Sequence, residues 1–258
     1  GDVTTNAVIP DTARLTAELR TRQARVVAGI EIAARVFRRL SPACKIEILV
    51  PDGAQVSAGT VLARIEGPAR PLLTAERTAL NFASHLSGVA TATAAWVTAL
   101  EGTSARVLDT RKTLPGLRLA QKYAVRCGGG ANHRLGLYDG ILIKENHIMA
   151  AGGVAAVLAQ AQALAPAGVF IQIEVETLEQ LGEALAAGAK MILLDNMDLA
   201  QMRRAVSLTA GRALLEASGG VDLSKVRAIA ETGVDRISIG SLTKDVRAVD
   251  LSLRHVEK

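Results

Sequence analysis

Arg111, Lys112, Lys122, Arg126, His133, Arg134 and Lys144 crowd into residues 107–148, a stretch of about forty residues bracketed by two short apolar runs. A packed domain does not need so many cations beside its core strands, whereas a site for a ligand with several negative charges does. Arginine suits bidentate recognition of a carboxylate, and lysine supplies a point charge. His133, next to Arg134, can donate to a carboxylate or to a ring nitrogen. Lys122 and Arg126 are four apart on a helical pattern and read as a solvated face.

Three further groups of residues carry chemistry. Ser218-Gly219-Gly220 and Gly240-Ser241 are small enough for backbone N–H groups to approach an anion, and each is expected to precede a helix whose positive end favours phosphate. Plain turn glycines are the alternative. Glu174 and Asp195 end two apolar runs. Two carboxylates on one rim can hold Mg²⁺, directly or through water, and Mg²⁺ favours phosphate-bearing substrates. A paired acid–base role and bridges to nearby lysines are the competing readings. Glu176 reads as structural.

The elements that must position these groups fall into two regimes. Residues 1–80, joined by the tail 247–258, read as a small α+β module. Leu15, Ala17 and Leu19 alternate as in a half-buried strand, residues 31–40 have helical periodicity, residues 44–50 and 61–65 read as strands, and Pro51-Asp52-Gly53 is a turn. Helical patterns follow at 72–86 and, after Gly88, up to 100. In the tail Val249, Leu251 and Leu253 alternate with polar residues, which predicts a strand returning to the N-terminal sheet. Residues 81–246 are expected to form the second domain. Its apolar runs at 106–108, 141–143, 170–175, 191–194, 213–216 and 236–239 alternate with amphipathic stretches, the pattern of βα units. No G-x-G-x-x-G follows the first run, which weakens a dinucleotide fold. Polar groups end all six runs, and in a parallel β/α barrel those carboxyl ends converge on one face.

The chain has 258 residues, 49% of them hydrophobic, so it can bury a large core, but only 2% are aromatic and aliphatic side chains must fill it. The net charge is +5. Without runs of Lys or Arg, and with few aromatics for base stacking, this favours small anionic ligands over nucleic acid. Cys44 and Cys127 form no metal spacing, which fits a reducing cytoplasm. No stretch reaches the ~18 apolar residues of a membrane span, and no signal peptide is evident. The opening Gly1-Asp2-Val3-Thr4-Thr5 has no initiator Met, so further residues are expected upstream.

With Thr110-Arg111-Lys112-Thr113-Leu114-Pro115-Gly116-Leu117-Arg118, Lys122-Tyr123-Ala124-Val125, Gly128-Gly129-Gly130, Asn132-His133-Arg134 and Leu142-Ile143-Lys144-Glu145-Asn146-His147, the chain resembles the quinolinate phosphoribosyltransferase family. Gly1-Asp2-Val3-Thr4-Thr5, Glu76-Arg77-Thr78-Ala79-Leu80-Asn81 and Leu86-Ser87-Gly88 extend the resemblance along the chain. The family pattern carries a helical segment ahead of the Gly-Asp-Val-Thr-Thr stretch, and its loss would bear on dimer stability.

The resemblance implies an α/β fold with an incomplete seven-stranded α/β barrel and an N-terminal α+β open sandwich. It implies transfer of phosphoribosyl from phosphoribosyl pyrophosphate to quinolinate, with decarboxylation to nicotinate mononucleotide. It also implies a homodimer with shared active sites, or a higher oligomer built on it. Carried over residue by residue, Arg77 reaches a neighbour's substrate. Thr110, Arg111, Lys112, His133, Arg134 and Lys144 bind substrate, with Lys112 near the phosphoribosyl group. Glu174 and Asp195 contact ribose and Mg²⁺, and Ser218, Gly219, Gly220, Gly240 and Ser241 hold phosphate. Lys112, Lys144, Glu174 and Asp195 are the implied catalytic set. The alternative is a phosphoribosyltransferase-like paralogue with another anionic substrate, such as the molybdenum-associated members.

Overall fold

The computed structural model describes residues 1–256, which divide into two compact units. Gly1–Ala94, Leu119–Gly129 and the chain from Leu242 onward form the first. It opens with α1 (Val3–Val8), capped by Asp2, whose carboxylate accepts from the Thr5 backbone N–H at 3.0 Å and the Thr5 hydroxyl at 2.6 Å. Next come β1 (Arg14–Thr21), β2 (Arg25–Val26), α2 (Ile30–Leu40), β3 (Lys45–Ile48), β4 (Gln55–Val56), β5 (Val61–Pro68) and the long α3 (Ala69–Ala99). On α2, Ile30, Ala33, Ala34 and Phe37 are buried at the spacing of a single helical stripe. Its first turn is held by Asp52 of the predicted turn, which accepts from the Gly29 and Ile30 N–H groups at 2.8 and 3.0 Å. β1 alternates as expected: Ala17 and Leu19 enter the core with Leu62, Ile65 and Leu72. On its other face Glu18 is clamped by Arg20 and Arg64.

The second unit, Ala95–Arg118 with Gly130–Ser241, carries the parallel sheet. After β6 (Arg106–Leu108), the helix α4 (Arg118–Cys127) belongs almost wholly to the first unit. Then follow β7 (Gly140–Ile143), α5 (Glu145–Ala151), α6 (Val154–Leu164), β8 (Phe170–Val175), α7 (Leu178–Ala186), β9 (Met191–Asp195), α8 (Leu199–Thr209), β10 (Leu214–Ser218), α9 (Val226–Ala230), β11 (Arg236–Ser238) and α10 (Ser241–Lys244), which from Leu242 belongs to the first unit. The strands run in the order β6-β11-β10-β9-β8-β7, so the last strand pairs back onto the first. All six expected strands are present within a few residues. The seventh that the resemblance implies is a single parallel bridge between Ala131 and Leu108. Its run begins Gly128-Gly129-Gly130, with Gly129 at φ 85°, and glycine is a poor strand former.

The chain ends in β12 (Leu251–His255), which pairs antiparallel with β1 and completes a sheet ordered β12-β1-β5-β3. The predicted returning strand is therefore in place, while Glu257 and Lys258 of the expected domain lie outside the described residues. The boundary expected near residue 80 falls inside α3, and residues 119–129 return to the first unit, where the Tyr123 hydroxyl donates to Asp52 at 2.9 Å. The expected break at Gly88 is absent. A Cβ there would stand 2.4 Å from the carbonyl oxygen of Arg247, so this glycine admits the returning chain instead of ending a helix.

Two opposed effects give Gly88→Ala a decisive sign. Helix propensity alone would stabilise the variant by about 1 kcal/mol. Overpacking against backbone costs about 1–3 kcal/mol and prevails if the segments meet as described. We expect a lower urea midpoint with unchanged slope; a higher midpoint would show that the returning chain does not press on α3.

Candidate active site

Asp109, immediately after β6, is fully buried. Its Oδ1 accepts from the His133 backbone N–H at 2.9 Å and its Oδ2 from the Asn132 side-chain amide at 2.5 Å. The segment that makes only one bridge at Ala131 is thereby caught and turned across the strand ends. It is closed by Asp139, which accepts from the N–H groups of Leu135 and Gly136 at 2.7 and 2.8 Å. Arg118 ties this loop to the one after β6, donating to the Leu135 and Arg111 carbonyls at 3.1 and 3.2 Å and to the Thr113 hydroxyl at 3.1 Å.

These loops bring Arg111 and Arg134 together. Arg134 is 9% exposed and its Nη1 donates to the Gly140 carbonyl at 2.8 Å. Burial, and then the charge of Arg111, push its guanidinium pKa down, opposed by Asp139. The Arg111 Nε is buried without a hydrogen-bond partner. An unfilled donor on one of two neighbouring guanidinium groups asks for an anionic acceptor. His133 has both ring nitrogens engaged: Nδ1 accepts from the Arg134 backbone N–H at 2.7 Å, and Nε2 lies 2.8 Å from Gln172 Oε1. It thereby holds its neighbours within the site. Thr110 accepts from the Lys112 N–H at 3.0 Å, and the Lys112 stem lies over Gly240, where a Cβ would come within 3.0 Å of Lys112 Cδ.

The other strand ends carry the carboxylates and the small loops. Lys144, just past β7, donates to Glu174 on β8 at 2.9 Å, so the bridge foreseen between a lysine and a carboxylate exists at that pair. Asp195 closes β9 in register with Ser218 on β10. Its pKa is raised by burial and then by the Glu174 charge, against the pull of Lys144, the Asn196 amide and Lys112. Asn196 sits in the left-handed region at φ 52° and donates to Asp195 at 2.8 Å. A Cβ on Gly219 would stand 2.1 Å from Asn196 Oδ1, so only glycine fits there. The glycine loop after β10 does not open a helix directly, since α9 starts at Val226; Ser241 does open α10, a helix of 4 residues. No cluster of three or more His, Cys, Asp or Glu side chains suited to a metal occurs among the described residues. Two carboxylates on paired strands still match Mg²⁺, which takes one or two carboxylates and fills its shell with water and substrate oxygens.

Arg111, Lys112, His133, Arg134, Lys144, Glu174, Asp195, Ser218, Gly219, Gly220, Gly240 and Ser241 thus all lie at the carboxyl ends of one parallel sheet in the second unit. Arg77 does not: it is exposed on α3 in the first unit. Lys122 is 1% exposed, so the solvated reading fails for it, whereas Arg126 is exposed, 5.8 Å from the Tyr123 ring. The backbone N–H of Glu176 donates to Gln180 at 2.8 Å beside the start of α7, and its side chain is exposed. Sequence reasoning assigned no role to Asp109, Gln172 or Glu216. The signal was available: Gln172 and Glu216 interrupt apolar strands at the same parity as the strand-end residues Glu174 and Ser218.

Because the Asp195 pKa is raised on folding, the native state holds its proton more tightly than the unfolded chain. Its ionisation therefore costs stability as pH rises through the folded value, and the cost vanishes below the unfolded one. Asp195→Asn should raise Tm at neutral pH by about 2 °C and flatten that part of the pH profile. A lower Tm would mean that the ionised carboxylate stabilises the fold.

Residues 2–87 match the family model described as quinolinate phosphoribosyl transferase, N-terminal domain, and residues 89–254 match that of its C-terminal domain. The chain is 46% identical over 257 residues to the nicotinate-nucleotide pyrophosphorylase (carboxylating) of Mycobacterium leprae, covering 98% of this chain and 90% of that protein. It is 42% identical over 253 residues to the probable nicotinate-nucleotide pyrophosphorylase (carboxylating) of Bacillus subtilis, covering 98% and 87%. The solved structure of the Francisella tularensis nicotinate-nucleotide pyrophosphorylase superposes with a TM-score of 0.96 at 44% identity, covering 99% of this chain and 90% of that one. With its strand ends arranged as above, the chain belongs to the quinolinate phosphoribosyltransferase family.

Proposed function

We propose that the protein transfers phosphoribosyl from phosphoribosyl pyrophosphate to quinolinate with loss of CO₂, giving nicotinate mononucleotide and pyrophosphate for NAD biosynthesis. The observation that carries this reading is the Arg111–Arg134 pair, two neighbouring cations with an unfilled buried donor. A pyridine diacid offers two carboxylates to such a pair, and Lys144 adds a third cation beside it.

Holding the diacid places its ring nitrogen for attack on the ribose anomeric carbon, and positioning supplies much of the acceleration. The new C–N bond forms as the C–O bond to pyrophosphate breaks, and the electron pair leaves with pyrophosphate. Positive charge grows on the ribose ring, where Glu174 and Asp195 stabilise it and take its hydroxyls. Lys112 and the backbone N–H groups of Ser218, Gly219, Gly220, Gly240 and Ser241 take phosphate charge. Glu174 and Asp195 would hold Mg²⁺, directly or through water, and the ion would supply further neutralisation of phosphate charge. The bond to the adjacent carboxyl then breaks, CO₂ departs, the electron pair stays on the ring carbon where the neighbouring positive nitrogen stabilises it, and a proton takes up that pair. No covalent bond to the protein is needed.

The reading extends to a homodimer in which the exposed Arg77 completes the partner subunit's site, and to the cytoplasm, where the free thiols Cys44 and Cys127 would stay reduced. Among the described residues no single helix is long and apolar enough to cross a membrane.

Pyrophosphate release measured with quinolinate, nicotinate and other pyridine acids tests the substrate. Turnover is expected with quinolinate, and turnover only with a different acid would overturn the assignment. Arg134→Ala and Lys144→Ala should each lower kcat/KM for quinolinate by about 10²–10³-fold while the far-UV circular dichroism is kept. Wild-type kcat/KM in either variant would remove that residue from the site.

A further inference from the structure

Beneath the rim, buried polar side chains cross the inner face of the parallel sheet. Gln172 lies two residues before Glu174 on β8, and Glu216 two residues before Ser218 on β10, so each lies one layer below a residue of the site. Both are 1% exposed. Gln172 Nε2 donates to Glu216 Oε2 at 3.1 Å, and Gln172 Oε1 faces His133 Nε2 at 2.8 Å. The remaining oxygen, Glu216 Oε1, has no hydrogen-bond partner and stands 3.7 Å from His133 Nε2. An interior carboxyl with an unfilled acceptor is costly, and apolar residues of similar volume would avoid that cost.

The chemistry of the donors gives the chain a direction. The Arg134 backbone N–H can only donate, so His133 Nδ1 is its acceptor and the ring proton sits on Nε2. Nε2–H then donates to the Gln172 oxygen, which leaves the Gln172 NH₂ end for Glu216. Every link from Arg134 to Glu216 points the same way, and each donor meets an acceptor.

We propose that Glu216 and Gln172 are positioning residues for the pyridine diacid, acting through His133: they hold the Nε2 side of its ring in place and so the point from which the Arg134 side chain enters the site. The inference rests on the quinolinate reading above. It separates diacid recognition from the phosphoribosyl half of the site, which this chain of donors does not touch.

The test is Glu216→Gln, nearly isosteric but uncharged, so that the Gln172–Glu216 link is weakened while the volume is kept. In ¹⁵N spectra of the ligand-free protein, the wild-type His133 ring should show one tautomer with the proton on Nε2, and the variant the same tautomer with its Nε2 signal shifted and broadened. His133→Gln assigns that ring among the 4 histidines. KM for quinolinate should rise about tenfold, with KM for phosphoribosyl pyrophosphate held within about twofold. Gln172→Met, which cuts the chain in the middle, should do the same; should it fail to fold, Glu216→Gln alone decides. An unchanged His133 Nε2 signal in Glu216→Gln, or both KM values rising together, would overturn the proposal. A wild-type protein inactive on quinolinate would sink the functional reading alone, because the ring signals of the free protein still judge the donor chain.

Discussion

The buried carboxylate of Asp109 is the constraint on which the site depends. The second position of the parallel sheet holds one bridge, at Ala131, where a full strand would otherwise lie. A strand continuing through residues 132–136 would alternate side chains between the two faces and send half of them away from the rim. Asp109 instead takes the Asn132 amide and the His133 N–H in one grip, and the chain leaves the sheet there. The incompleteness of the barrel and the presence of the Asn-His-Arg segment at its mouth are thus one fact. Removing this carboxylate would take a buried acceptor from both donors, a larger loss than that of an ordinary surface hydrogen bond.

Around the rim the charges are sorted by strand. Cations follow β6 and β7 and fill the gap between them, carboxylates end β8 and β9, and glycine loops follow β10 and β11. Mixed charges would neutralise one another and leave little for a ligand. The Lys144–Glu174 bridge joins the two groups, and it is partly exposed, so exchanging one partner for a substrate group costs little. Arg111 and Arg134 repel one another, and that unfavourable charge is relieved when a dianion arrives, which makes binding and neutralisation the same event.

Much of this was legible in the sequence because strand ends in a βα series carry their function at fixed places. The six apolar runs, the returning strand at Leu251 and Leu253, and the location of Lys144, Glu174, Asp195 and Gly240 all follow from local pattern. What escaped depends on contacts remote in sequence. Gly88 reads as a helix break until Arg247 is found against it, 159 positions away. Lys122 sits on what its own helix presents as a polar face, yet it is buried once that helix rejoins the first unit. The seventh strand is lost to three consecutive glycines and to Asp109, whose role no spacing reveals. Gln172 and Glu216 show only as polar interruptions, and their partners come from three separate segments.

The site is built from choices that oppose stability. Asn196 is held at positive φ, the ionised Asp195 is disfavoured by burial and by Glu174, two arginines lie together, and Glu216 is buried with an open acceptor. Such features persist only when the surroundings over-determine them. The surroundings here are aliphatic layers: Ile173 and Val175, Ile192 and Leu194, Leu215 and Ala217, and Ile237 alternate with the site-facing positions on consecutive strands, and each is essentially buried. With 2% aromatic residues the packing relies on small branched side chains, which hold neighbouring elements close and leave each strand one register. The apolar face of every strand therefore fixes what its polar face cannot, and the strain at the rim is held by the side of the sheet that never meets the ligand.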